Sequence, residues 1–143
     1  MDADAREHDD FTSADFVRFQ SPRIDTRLGI HVGAFGLVNM LFNRGLLSPG
    51  DAALRRERLD WFNAAFANPE DRVPGIFTRY PRAVSWFNRA SSAHLIEAMG
   101  PHCDILDRHG IAWEQVQSMR PQHVVYEDEH QILVAPAEAF TRA

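Results

Sequence analysis

Arg72, Arg79 and Arg82 lie close in sequence to Phe77, Tyr80 and Trp86. A guanidinium presents a planar fork of donors to a carboxylate or phosphate, and aromatic faces beside it add apolar contact. That combination suits an anionic ligand or the hot spot of a protein interface. His94, two turns beyond Phe87 on a helical reading, would line the same wall. The competing use is structural, with Phe77 and Tyr80 pinning a loop to the core while the arginines face water. A second candidate is the acidic run Glu127-Asp128-Glu129 at a predicted turn, whose ordinary role is to keep that turn solvated.

Other residue types capable of chemistry are present at less favourable spacing. His94, His102, Cys103 and His109 surround Asp104 and Asp107, and these are ligand types for a transition metal. Adjacent residues such as His102 and Cys103 point apart on a helix, and no CxxC or HExxH spacing occurs, so neither a metal site nor a cofactor is expected. Cys103 as a nucleophile would need His102, His109 or His123 as its base. Glu127-x-Glu129 resembles the acidic motif of ADP-ribosyltransferases, which pair it with an upstream arginine, here Arg23 or Arg27, and with a Ser-Thr-Ser strand. The one serine pair, Ser91-Ser92, falls in a predicted helix, which leaves that pattern incomplete. The run Val125 to His130 is also similar to a hairpin of pseudouridine synthases, over about ten residues.

Composition narrows the chemistry further. All fifteen basic residues are arginine, which excludes Schiff-base, pyridoxal-phosphate and P-loop mechanisms, each of which needs a lysine amine. A single cysteine excludes an internal disulfide. Six acids against one base fall within residues 1–15, whereas residues 16–143 carry fourteen of each. The first segment reads as an acidic tail without fixed structure and 16–143 as a single globular domain. A body with no basic excess makes nucleic acid an unlikely partner. The longest apolar stretch, Gly33 to Phe42, is too short to cross a bilayer, and the N-terminus lacks a secretory pattern. A soluble, cytoplasmic chain with no membrane partner is the expectation.

The elements that would position these residues follow from periodicity. Thr26–Arg44 is apolar on nearly every side and predicts a buried central helix; the alternation of Leu28, Ile30 and Val32 also permits a short strand before a helix starting near Ala34. Ser48-Pro49-Gly50-Asp51 predicts a helix start, with the helix running to about Phe66. Arg55 and Arg58 fall within its apolar arc, where they would snorkel past core aromatics. Residues 67–80 read as a long irregular stretch. Pro81–Met99 predicts a helix with Val84, Phe87, Ser91, Leu95 and Ala98 as its stripe and Trp86 off it. A short helix over His102–Arg108, a strand over Trp113–Gln117 and a hairpin from His123–Tyr126 and Gln131–Ala135 complete the chain. The fold class is therefore α+β: a helix-rich single domain of three to four helices, ending in a C-terminal antiparallel β-hairpin or small sheet. The functional expectation is a binding or accessory protein acting through loop 67–82 and the adjoining helix on a protein partner or small anionic ligand. The alternative is a small hydrolase or transferase using His and carboxylate general acid–base chemistry. Oligomeric state leaves no signature in the sequence.

Overall fold

A computed structural model describes residues 15–140. The expected acidic tail therefore lies, but for Asp15, outside the described residues. Strand β1 (Phe16–Asp25) opens with Phe16-Val17-Arg18-Phe19-Gln20, all buried. Side chains alternate faces along a strand, so an unbroken buried run must be covered on both sides. β4 (Glu114–Ser118) pairs antiparallel along one edge of this run, from Phe16↔Ser118 to Gln20↔Glu114. Two strands share the other edge. β3 (Val84–Asn88) pairs with Phe16 and Val17, and β2 (Ile30–Gly33) pairs from Gln20 to Asp25. The sheet continues from β3 to β6 (Gln131–Val134) and β5 (Val124–Glu127), antiparallel throughout. The fold is α+β, and the predicted C-terminal hairpin is β5–β6. That hairpin belongs to a six-stranded sheet, larger than a terminal accessory.

The helices are α1 (Ala34–Asn43), α2 (Pro49–Ala65), α3 (Pro69–Arg72), α4 (Ile76–Arg79), α5 (Ala93–Glu97) and α6 (Gly100–Arg108). Val17 and Phe19 of β1 pack with Val38 and Leu41 of α1, Phe62 of α2, and Ile105 and Leu106 of α6. A smaller cluster joins Ile76, Tyr126 and Leu133. α2 begins as its sequence predicts: Ser48 Oγ accepts the Asp51 N–H at 3.1 Å and Pro49 occupies the first turn. None of the helices is long and apolar enough to cross a membrane, among the described residues.

Three expectations need correction. The Thr26–Arg44 helix is instead a turn, strand β2 and then α1, the strand-first alternative. Asp25 causes this: its Oδ1 accepts the N–H groups of Arg27 and Leu28, both at 2.9 Å, and its carbonyl takes that of Gly29 at 2.7 Å. Gly29 sits at φ +71°, which a side chain there would strain. The Pro81–Met99 helix is strand β3, a turn and the five-residue α5. Asn88 Oδ1 accepts the N–H groups of Ala90 and Ser91, turning the chain where a helix would have continued. Residues 67–80 hold two single-turn helices, drawn together by Glu70, whose carboxylate accepts the N–H groups of Gly75 and Phe77.

Candidate cavity and its buried arginine

Because β2 and β3 share one edge of β1, they diverge between Val17↔Phe87 and Gln20↔Gly33. The Arg18 guanidinium bridges that split. Its Nη1–H donates to the Ser85 carbonyl of β3 at 2.9 Å, and its Nη2–H to the His31 carbonyl of β2 at 2.7 Å. Its Nε–H donates to Gln20 Oε1 at 2.9 Å, and the Gln20 amide donates in turn to Glu114 Oε2 of β4 at 3.1 Å. Gly33 gives the group its bed, since a Cβ there would lie 3.3 Å from Nη2. Arg18 is only 7% exposed, and burial brings its pKa down to about 10, which still leaves it charged at neutral pH. All three acceptors are neutral. The guanidinium therefore accepts its burial without a carboxylate in direct contact.

The guanidinium forms part of the wall of a cavity of about 480 Å³. Leu28, Ile30 and Val32 line one side, Ala83, Val84 and Phe87 another, and Phe35 and Met99 approach from the helical layer. Phe66, Ala67 and Asn68, between α2 and α3, contribute a further wall together with Pro69 of α3 and Phe77 of α4. Arg18 is the one charged side chain among the described residues lining this space. Gln131, 2% exposed, also reaches it; its amide donates to the Ala67 carbonyl at 2.7 Å and to Asp128 Oδ2 at 3.2 Å. It thereby ties the α2–α3 linker to the β5–β6 turn.

A second, polar hollow of about 340 Å³ shares Asn63, Phe66 and Ala67 with the first and adds Arg72, Asp128, Glu129 and His130. Here the Tyr126 hydroxyl donates to Asp128 Oδ2 at 2.6 Å. Burial, reinforced by that bond, pushes Tyr126 up to about 12. Burial alone would raise Asp128 as well, but the bonds from Tyr126, Gln131 and the His130 and Gln131 N–H groups outweigh it and hold the carboxyl below its usual range. With both oxygens occupied by its own hairpin, Asp128 anchors the turn.

The other predicted site residues separate into several places. Phe77 lines the apolar cavity and Arg72 the polar hollow. Arg79 lies over the Tyr80 ring at 5.3 Å, and Tyr80 packs on the Ile76–Tyr126–Leu133 cluster. Arg82 lies against the β1–β2 turn, where its Nη1 would be 3.0 Å from a Cβ on Gly29. Trp86 is half-buried on β3, opposite Ile132. His94 is exposed, its ring 5.5 Å from that of His130. Glu127 is ion-paired with Arg120 at 2.9 Å, and Glu129 lies 3.4 Å from His130 Nε2. His102 and Cys103 are buried in α6; burial, then Arg58 and Arg55, lower His102 to about 4, and burial, then Asp107 and Asp104, raise Cys103 to about 11. No group of three or more His, Cys, Asp or Glu poised to hold a metal occurs among the described residues.

Ser92, His130 and Glu129 touch in series, with Ser92 Oγ 3.3 Å from His130 Nδ1. The serine is completely buried and its hydroxyl donates to the His130 carbonyl at 3.0 Å, so it secures the turn and is sealed from any substrate. The residues that sequence reasoning missed are Arg18 and Gln131. Their signal was a polar residue inside an apolar, strand-like run: Phe-Val-Arg-Phe at 16–19 and Gln-Ile-Leu-Val at 131–134. Comparison with protein-family models, curated proteins and solved structures returns no match.

Proposed function

We propose that this chain binds a small carboxylate with an apolar body, seated in the cavity between β2 and β3. The observation that carries the reading is Arg18: a buried cation with only neutral acceptors, in the wall of a space otherwise lined mainly by aliphatic and phenylalanine side chains. Cavities of this size, apolar with a few placed polar groups, are the usual form of a small-molecule site. The ligand carboxylate would meet the guanidinium, and the apolar body would lie against Leu28, Val84 and Phe87. Binding is favoured over turnover because no His, Cys, Asp or Glu stands among the described lining residues. This reading keeps the anionic ligand expected from the sequence and uses the linker and Phe77 from stretch 67–82, with Arg18 as the anion's partner.

Calorimetric titration with n-alkyl carboxylates from butanoate to dodecanoate tests it. Affinity should rise by roughly 0.8 kcal/mol per added CH₂ until the cavity is full, then level off. Octanamide, which lacks the charge, should bind at least about tenfold more weakly than octanoate, a difference of ~1.4 kcal/mol. Arg18→Met should erase that difference while leaving octanamide binding in place. Equal affinity for acid and amide in the native protein, or no gain with chain length, refutes the reading.

A further inference from the structure

A second arginine arrangement, independent of the cavity, lies half-buried along α2 where it meets α1. Arg55 and Arg58 are one turn apart, separated by about 4.5 Å of helix rise. The Arg55 guanidinium lies 4.1 Å from the Phe42 ring centroid, with its Nε and Nη2 both donating to Asn39 Oδ1, at 3.0 and 2.8 Å. Arg58 lies 4.8 Å from the Trp61 centroid and 5.9 Å from that of Phe62, and its Nε is buried without a hydrogen-bond partner. Neither guanidinium meets a carboxylate among the described residues, whereas neighbouring Arg56 has Asp60 at 3.8 Å. Two like charges at this spacing repel along a helix, so their placement together costs stability unless something negative covers them. Phe42 and Trp61 flank the pair and remain 43% and 37% exposed.

We propose that this stripe, Phe42–Arg55–Arg58–Trp61, is a docking surface for an acidic segment of a partner protein carrying an apolar residue beside its carboxylates. Charge complementarity selects the acid, and the two exposed rings select the apolar neighbour. Arginine and tryptophan at the centre of such a patch are the residue types that dominate interface energies. A partner carboxylate over Arg58 would also act on His102, the buried histidine beneath, which Arg58 and Arg55 face and which packs edge-on against Phe35 and Phe62. Negative charge at the surface would raise the pH at which that ring protonates.

The test is selection from a randomised displayed peptide library on the native protein, followed by affinity measurement on the Arg55→Gln/Arg58→Gln variant. Enriched peptides are expected to place Asp or Glu beside an aromatic or aliphatic residue. They should lose about tenfold or more in affinity on the double variant, as charge-pair truncation does. Trp61→Ala, at an exposed position, should weaken the same peptides and keeps the test valid should the double variant melt early. A selection without acidic enrichment, or peptides that bind both variants as tightly as the native chain, would each overturn the proposal. Preferential, salt-sensitive binding of oligothymidine would overturn it in favour of a nucleic-acid occupant.

Discussion

A guanidinium shut away from water must be compensated by its surroundings, and at Arg18 that compensation is three neutral oxygens and a relay through Gln20 to Glu114. The sequence carries the hint, an arginine between Val17 and Phe19, but not the outcome. Local pattern does not say that two separate strands will leave carbonyls facing one gap. Arg72, Arg79 and Arg82 drew attention because aromatics adjoin them in sequence, yet they disperse over three surroundings in space. His102 shows the reverse case: a residue read as ordinary helical packing turns out to be strongly perturbed. It is 1% exposed, its Nδ1 has no hydrogen-bond partner, and its pKa is lowered from 6.5 to about 4. The native state then holds fewer protons at this site than the unfolded chain between those values, so stability is intact above pH 6.5 and falls as pH drops toward 4. The lost contribution is roughly 3 kcal/mol when complete. His102→Leu should flatten that part of the stability–pH curve in urea titrations and cost little at pH 7, because a partnerless polar atom leaves the core. A variant that keeps the native slope would place the titration elsewhere.

Elements were legible where a capping side chain or a repeated alternation marks them. The start of α2 and the hairpin β5–β6 follow from such marks. Ser48→Ala should cost about 1 kcal/mol, the usual value of a helix N-cap, measured by thermal or urea melting; no loss would mean that Pro49 alone sets the start. The stretch Pro81–Met99 was not legible, because Val84 and Phe87 satisfy a helical stripe and a strand equally well. The choice falls to partners distant in sequence: β6 offers Gln131 to Val134 as a ladder, and Asn88 ends the strand. The α2–α3 linker depends on a distant partner in the same way, through the Gln131 amide on Ala67. Gln131→Met keeps the volume and leaves that carbonyl and part of Asp128 unanswered. A destabilisation of about 1–3 kcal/mol is expected, with faster amide exchange across residues 66–73. Unchanged exchange there would show that Pro69 and Ile76 hold the linker without it.

At the scale of the whole molecule, the cavity is a consequence of topology. β1 carries β4 on one edge and divides the other between β2 and β3, so the sheet is continuous while one side of it opens beside Arg18. Helices α1, α2 and α6 pack on Val17 and Phe19, either side of Arg18 in the same strand, and Phe19, Ala34, Phe87 and Met99 belong both to that core and to the cavity wall. The cavity is therefore an extension of the main core, walled by the same side chains on its helical side. That open space within the core predicts how a filled cavity should behave. Ala83, half-buried at the approach to β3, lines the space beside Val84. Ala83→Leu adds apolar volume to the cavity without touching the hydrogen bonds of Arg18. Stability should hold or rise by about 0.5–2 kcal/mol, the range usual for cavity-filling changes, because new apolar contact replaces open space. Octanoate, meanwhile, should lose its ability to raise the melting temperature, a stabilisation worth about 2.7 kcal/mol for the native chain at a hundredfold excess over Kd. The opposing result is equally plain. If Ala83→Leu lowers stability by more than about 2 kcal/mol, the region is packed tightly and overfilled by one side chain. If stability is kept and octanoate still protects in full, the carboxylate sits outside the space between β2 and β3, and Arg18 is a structural strut between the two strands.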